Sequence, residues 1–464
     1  PIYKGIYKTI QPSQFYDTWA ENFPDVKIRA HCRFSKCEFC VHHRTIIYDP
    51  RSTTVEVLLA KDALAVHIKW VCGRERQLYR FKKDQAILQP AKFLSIAIDG
   101  TDPLTNGLPK YCEATKADAK GQRLKVHIDL VLVHGSEPRC FLAWENIAGD
   151  PNLTIHILFT TLLEEERRRG KLPPVLYLQL DNCIRENKNT YTIMYLVWLV
   201  ERCIFNQILL SFLPVGHTHN DVDQHASRIA SPIKYNDIRS MDKLMELIND
   251  NTSSIKPKIT FLNEVGDIKE FFNPGKADTF PVTKGARVRR LKGCCTKTAS
   301  CETKAYAGEL SALHWRIRKD TNGHAYFQNK HTIDSAKWSE SYRMWNDGHG
   351  NNTMRSGLCP SKVKQCPPKH LAETRQAELR SDMEAVAKRL SQDEAKDFDD
   401  VVEDLCGEQE LEVDMPLMDH RFEYERRGVA RGNGAAAAAR GEAEKETAAW
   451  SAPPPMLMAP RLIY

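Results

Sequence analysis

One segment of the sequence is dense in side chains that bind metals, because three histidines and two aspartates fall within the nine residues 217–225. It directly follows the apolar run QILLSFLPVG at 207–216. Histidine nitrogens and carboxylate oxygens ligate divalent metals, and both groups also act as general acids or bases. The candidate residues of this segment are His217, His219, Asp221 and Asp223.

Two more aspartates each end a hydrophobic run: Asp99 ends KFLSIAID and Asp181 ends PVLYLQLD. Ligands of open α/β sheets lie at the carboxyl ends of strands, so aspartates on neighbouring strands can share a site, which Asp223 can join. Three close carboxylates repel one another unless they hold cations, and oxygen ligands suit Mg²⁺ or Mn²⁺. Two such ions support phosphodiester chemistry. The alternative is that each aspartate is only a turn former or a helix cap.

A CxxC pair near the N-terminus has the spacing of a zinc knuckle, with Cys37 and Cys40 in HCRFSKCEFCVHH. The second CxxC of a full zinc signature is missing, so the other ligands stay open, and His67 is our choice among them. Reduced thiols without a metal are the alternative, since 14 cysteines spread along the chain favour an intracellular, reduced protein. The remaining candidates are Cys32, His42, His43 and Cys72.

The elements that would position these residues follow the order β-β-β-α-β-α-β-α. Apolar runs bounded by turn residues predict strands, and apolar runs of helical length between caps predict helices. Asn152 and Asp221 are the predicted N-caps of the first and third helices, and Gly170 ends the first. The predicted strands are 92–99, 124–135, 139–147, 174–182 and 207–216, and the predicted helices begin near 151, 190 and 221.

Four segments resemble a known family: FLSIAIDGTD, LKVHIDLVLVHG, PPVLYLQLDNCIRENKNTY and LSFLPVGHTHNDVDQ. They are similar to a transposon-associated domain of eukaryotic genomes, which itself resembles the catalytic core of DDE transposases and integrases. The resemblance covers residues 30–345 and is strongest from 92 to 230. It implies an α/β fold with an RNase H-like mixed sheet, an N-terminal zinc module and a small C-terminal accessory region.

The resemblance also implies roles for single residues. Asp99 and Asp181 would be the first two metal ligands, and Asp223 the third, with Asp221 as its competitor. Lys188 would contact a phosphate, although a surface lysine that leads a helix is the alternative. The further supporting residues are Asn182, His217, His219, Asp221 and the run 186–189.

The function expected from the resemblance is that of a transposase-derived protein with a Mg²⁺- or Mn²⁺-dependent nuclease or DNA strand-transfer core, active or domesticated. DNA and a second copy of the chain would be its partners, without a membrane, and the nucleus its location. One alternative is a non-catalytic DNA- or protein-binding module that retains the fold. The other is a dinuclear zinc hydrolase of the metallo-β-lactamase type, with His217, His219 and Asp221 in HTHND; that motif expects histidine where this chain has Val222.

The overall composition permits these functions without selecting one. The formal charge of +6 on 464 residues is mild for a nucleic-acid-binding protein. No apolar stretch of membrane-spanning length occurs. Because the sequence begins with Pro1 rather than Met, we expect further residues upstream. The predicted regions are 1–90 with the zinc module, 91–235 as the core, 236–345 as an accessory domain, 346–424 as a charged helical region and 425–464 as a disordered tail.

Overall fold

The computed structural model describes most of residues 37–346 and part of the helical region that follows. The predicted supporting residue His219, the candidate Cys32 and the predicted tail 425–464 lie outside the described residues. The described residues are 37–113, 123–214, 216–217, 220–251, 256–273, 287–289, 291, 312–321, 323–333, 335, 337–346, 374–379 and 390–406.

A mixed β-sheet of eight strands forms the centre of the protein, in the spatial order β6-β3-β2-β1-β4-β5-β8-β9. The first three strands form an antiparallel meander, and β4 and β5 run parallel to β1. The α/β class that the sequence predicts is therefore confirmed. The five central strands are β1 (Phe93–Gly100), β2 (Val126–Val133), β3 (Arg139–Trp144), β4 (Val175–Leu180) and β5 (Gln207–Phe212).

The strands after residue 236 extend the same sheet at both edges. β6 pairs with β3 in parallel, and the hairpin of β8 and β9 adds to β5 in an antiparallel orientation. The region that we predicted as an accessory domain thus supplies three strands to the central sheet. The later strands are β6 (Lys258–Leu262), β7 (Arg287–Val288), β8 (His314–Lys319), β9 (Ala325–Lys330) and β10 (Trp345–Asn346), of which β7 and β10 form a separate two-stranded sheet.

Helices precede the sheet and connect its strands. A π-helical turn at His67–Cys72 joins the second helix to the third, and a 3₁₀ turn at Pro103–Thr105 follows β1. The helices are α1 (Glu38–Tyr48), α2 (Thr54–Val66), α3 (Gly73–Leu88), α4 (Pro151–Arg169), α5 (Thr190–Glu201), α6 (Asp221–Tyr235), α7 (Met241–Asn251), α8 (Ile268–Phe271) and α9 (Gln392–Cys406).

Both faces of the sheet are covered, which explains why its strands are apolar on both sides. Ile96 and Ile98 of β1 pack with the buried residues of α4 and α5 in one core. Ala97 faces a second core that includes Ile229 of α6 and Leu244 of α7. Strands that are buried on both faces read as continuous hydrophobic runs, as these strands do in the sequence.

Two helices begin where the sequence predicts, but their N-caps lie one or two residues before the predicted ones. Asp150 is the N-cap of α4 in place of Asn152, because Pro151 fits the first helical position and the Asp150 carboxylate accepts the N–H of Asn152. Asn220 is the N-cap of α6 in place of Asp221, and its side chain accepts the N–H of Val222 at 2.7 Å. Gly170 ends α4 in the left-handed conformation, with φ of 75°.

Candidate functional site

The first two predicted acids leave the sheet side by side. β1 and β4 are parallel neighbours, and Ile98 is in register with Leu180. The next residue on each strand is the aspartate, so Asp99 and Asp181 reach the same edge of the sheet. Their positions follow from the register of two apolar parallel strands, in which Ile98 and Leu180 are paired directly before the two aspartates.

The charges of these aspartates act on each other. Burial, and then the negative charges of Asp181 and Asp223, raise the pKa of Asp99 to about 8. Burial also raises the pKa of Asp181, against the opposing effect of the Asn182 backbone N–H, whose nitrogen lies 2.5 Å from Asp181 Oδ1. The negative charges of the three carboxyl groups therefore act on one another, and burial makes ionisation of Asp99 and Asp181 costly.

The third acid lies in the first turn of α6, and its neighbour takes a different partner. Asp223 Oδ2 accepts the N–H of Asn220 at 2.8 Å, which completes a capping box and fixes this side chain. Asp221 instead forms an ion pair with Lys83 of α3. Of the two competitors for the third position, Asp223 is thus the one whose charge reaches Asp99.

A fourth carboxylate, which our reading of the sequence missed, borders this site. Asp129 of β2 pairs with Gly100, and a Cβ atom built on Gly100 would lie only 2.7 Å from Asp129 Oδ1. Burial, and then the charge of Glu186, raises the pKa of Asp129 to about 7. The signal was present, because a single acid interrupts the apolar run of HIDLVLV.

Lys188 stabilises the loop behind Asp181. Its Nζ donates to Asn182 Oδ1 at 2.8 Å and lies 4.8 Å from the centre of the Phe212 ring. Only 2% of the residue is exposed, so the surface-lysine alternative is wrong. Direct contact between Lys188 and a phosphate stays a prediction, because the ammonium group faces Asn182.

A second cluster combines the CxxC pair with two histidines. One ligand atom each of Cys37, Cys40, His67 and His217 lies within 4.8 Å of all the others. Cys37 Sγ is 3.3 Å from His67 Nε2, Cys40 Sγ is 3.2 Å from His217 Nε2, and the two Nε2 atoms are 3.2 Å apart. This cluster could bind a metal such as zinc.

The distances in the Cys/His cluster resemble the edges of a zinc tetrahedron. Zn–N bonds of about 2.0–2.1 Å and Zn–S bonds of about 2.3 Å give edges of roughly 3.3 Å between nitrogens and 3.6 Å between nitrogen and sulfur. Two cysteines and two histidines are also a common ligand set of structural zinc sites. The zinc ligands that we predicted, Cys37, Cys40 and His67, are thus brought together.

The fourth member of the Cys/His cluster is His217, which we had assigned to support the acidic site. It lies on the connection between β5 and α6, and contacts of the cluster span 150 and 177 positions of sequence. Cys72 Sγ lies 3.5 Å from His67 Nε2, beside the four. His43 lies outside the cluster, and its Nδ1 donates to the Phe39 carbonyl oxygen at 2.8 Å.

The dinuclear hydrolase hypothesis receives no support from these contacts. His217 lies among cysteine and histidine side chains of the N-terminal helices, and Asp221 pairs with Lys83.

None of the described helices combines the length and the apolar composition that crossing a lipid bilayer requires.

Comparison with known proteins gives one similarity. A family model for a domain of unknown function, DUF7869, matches residues 116–307. No curated protein and no solved structure gives a significant match. The matched range includes Asp129, Asp181, His217 and Asp223, and it begins after Asp99.

Proposed function

We propose that this protein is a Mg²⁺- or Mn²⁺-dependent nuclease or strand-transfer enzyme that acts on DNA, with Asp99, Asp181 and Asp223 as its metal ligands. The observation that carries the proposal is the convergence of these carboxylates. Two of them end adjacent parallel strands in matched register, and the charge of the third raises the pKa of the first.

The order of the central strands supports an RNase H-like arrangement. The order β3-β2-β1-β4-β5, with an antiparallel meander followed by two parallel strands, fits the order of elements that the resemblance implies. Helices cover both faces, and the acids follow β1, β4 and β5. The edge where those strands end is the usual ligand-binding edge of an open α/β sheet.

The acidic site fits a divalent cation because Asp99 and Asp129 ionise poorly without one. Burial and the charges of Asp181 and Asp223 raise the pKa of Asp99 to about 8, and burial and the charge of Glu186 raise the pKa of Asp129 to about 7. When bound, the ions would activate a water or hydroxyl nucleophile and stabilise the leaving oxygen. The chain itself fixes the ligands: Asn220 holds Asp223, and Lys188 holds the turn after Asp181.

DNA and a nuclear location are part of the same proposal. Arg185 is 74% exposed at its side chain and adjoins Glu186 at the acidic edge, where it can meet a phosphate. The seven cysteines whose side chains the structure describes form no disulfide, which fits a reducing compartment.

Calorimetry with Mn²⁺ tests the proposal, on the zinc-loaded full chain and its variant Asp181→Ala. The matched control is Asp242→Ala, which removes an exposed acid at the start of α7. We expect binding to the wild type and the control, and none to Asp181→Ala, with equal circular dichroism. Mn²⁺-dependent cleavage of labelled DNA should follow the same pattern.

Two outcomes would contradict the proposed function. Folded wild type that binds no Mn²⁺ would remove the acidic metal site. Mn²⁺ binding with DNA binding but no cleavage or joining of any DNA substrate would favour the non-catalytic module that retains the fold.

A further inference from the structure

The Cys/His cluster connects two parts of the chain that are far apart in sequence. Cys37 and Cys40 lie at the start of α1, and His67 begins the π-helical turn after α2. His217 comes from the connection between β5 and α6. A metal bound here would tie the N-terminal helices to the segment that leads directly into α6.

That segment also delivers an acid of the proposed active site. Three positions after His217, Asn220 caps α6, and the backbone N–H of Asn220 donates to Asp223 Oδ2 at 2.8 Å. Only two residues of the sequence separate His217 from Asn220, so we expect a displacement of His217 to shift the N-cap. The capping box would transmit it to the Asp223 carboxylate.

The N-terminal helices hold the start of α6 at a second point as well. Lys83 of α3 pairs with Asp221, the first residue of α6. Both side chains of this pair are about one-third exposed, at 32% and 31%, so it is a weaker attachment than a desolvated one. A metal at the Cys/His cluster would be the stronger of the two attachments, because it would hold both parts of the chain through several coordinate bonds rather than through one partly exposed ion pair.

We propose that Cys37, Cys40, His67 and His217 bind one Zn²⁺ that positions Asp223, so that occupancy of the zinc site sets the affinity of the acidic site for Mn²⁺ or Mg²⁺. The zinc site stands on its own geometry, whereas its effect on Mn²⁺ affinity rests on the proposed function. His217 is a zinc ligand in this scheme and a positioning residue for the acids.

Cobalt substitution tests the zinc site without any reference to activity. Co²⁺ in a tetrahedral site of two sulfurs and two nitrogens absorbs visible light, and Zn²⁺ displaces it. We expect this absorption in the wild type, its loss in His217→Ala and its retention in His217→Cys, which restores a ligand. His42→Ala is the matched control, since His42 is an exposed histidine of α1 outside the cluster.

Two measurements on the same variants, each with Zn²⁺ present, test the coupling. We expect His217→Ala to weaken Mn²⁺ binding by roughly 10–100-fold, the range seen when a residue that orients a metal ligand is removed. His217→Cys and His42→Ala should keep the affinity of the wild type. Amide hydrogen exchange over residues 220–235 should accelerate in His217→Ala alone.

The outcomes separate this proposal from the proposed function. A wild type without a tetrahedral Co²⁺ spectrum overturns the zinc site, whatever Mn²⁺ does. A His217→Ala variant that loses the spectrum but keeps both Mn²⁺ affinity and slow exchange overturns the coupling. If the wild type binds Co²⁺ but not Mn²⁺, the proposed function fails, and faster exchange in His217→Ala still supports zinc as the positioning element.

Discussion

The high pKa of Asp99 predicts that this aspartate destabilises the protein at neutral pH when Mg²⁺ and Mn²⁺ are absent. Burial and the charges of Asp181 and Asp223 raise its pKa from 3.8 to about 8. In the unfolded chain the same group ionises freely in water. The substitution Asp99→Asn keeps the size of the side chain and removes the charge, so it should stabilise the folded protein without those ions.

The size of the effect follows from proton linkage. A folded pKa above the unfolded one means that the folded state holds the proton longer, so stability is lost as the pH rises from about 4 to about 8. At pH 7 the difference between the ordinary and the raised pKa of Asp99 corresponds to a loss of about 4 kcal/mol in the free energy of unfolding. Since Asp99 is partly exposed, water reduces this penalty, and we expect a gain of about 2–4 kcal/mol from Asp99→Asn.

Urea unfolding of zinc-loaded protein, free of Mg²⁺ and Mn²⁺, measures this gain. The difference between Asp99→Asn and the wild type should be small near pH 4 and should grow up to about pH 8. Saturating Mn²⁺ should then make the wild type more stable than Asp99→Asn at neutral pH. Saturation at about 1,000 times the dissociation constant stabilises the wild type by about 4.1 kcal/mol, which exceeds the expected gain from Asp99→Asn, and the variant should gain little.

The reasoning would be refuted by a variant that is less stable than the wild type at all pH values without Mn²⁺. A gain that does not change with pH would also contradict it, because the effect would then not come from ionisation of Asp99. Asp242→Asn is the control, since it makes the same substitution at an exposed acid at the start of α7.

Three further predictions concern other buried charged or titratable groups. Burial disfavours the Glu165 carboxylate, but hydrogen bonds from three arginines outweigh this and lower its pKa to about 2. Glu165→Gln removes one of the two carboxylates that pair with buried Arg139, while Glu164 keeps its contact, and should cost about 1.5–3 kcal/mol. Urea unfolding measures this cost, and a loss below about 0.5 kcal/mol would contradict the prediction. Burial lowers the pKa of His156 to about 4. The free energy of unfolding should therefore fall by up to about 3 kcal/mol as the pH drops from 6.5 to 4. His156→Gln should remove this part of the acid sensitivity. Lys188→Met removes the donor to Asn182, so it should lower the free energy of unfolding by about 1–2 kcal/mol and weaken Mn²⁺ binding. If calorimetry gave the variant the same Mn²⁺ affinity as the wild type, the loop would need no such support.

The central elements could be predicted because their signals are local. β1 and β4 are apolar runs that end in an aspartate, and α5 is an apolar segment of helical length that begins after the Asn189 cap. Burial on both faces of the sheet makes such runs continuous and easy to recognise. The same signals placed Asp99 and Asp181 at strand ends, where the structure has them.

Other parts of the candidate site depended on contacts that no local pattern encodes. The sequence left Asp221 and Asp223 as competitors, and it is Lys83, 138 positions away, that pairs with Asp221. Asp129 was overlooked because a lone acid in a strand gains its meaning only from the strand beside it. That neighbour is Gly100, whose lack of a side chain leaves room for the Asp129 carboxylate.

The sequence by itself determined the α/β class, the strands and helices of the core, and the cysteine spacing of a metal site. The tertiary structure alone decided which residues complete that site. His217 stands among aspartates in the sequence, yet its ring lies against Cys40 and His67. The physical reason is that a metal site needs donor atoms a few ångströms apart in space. Where the donors are separated by 150 residues or more, only the packing of the N-terminal helices against the core can bring them together.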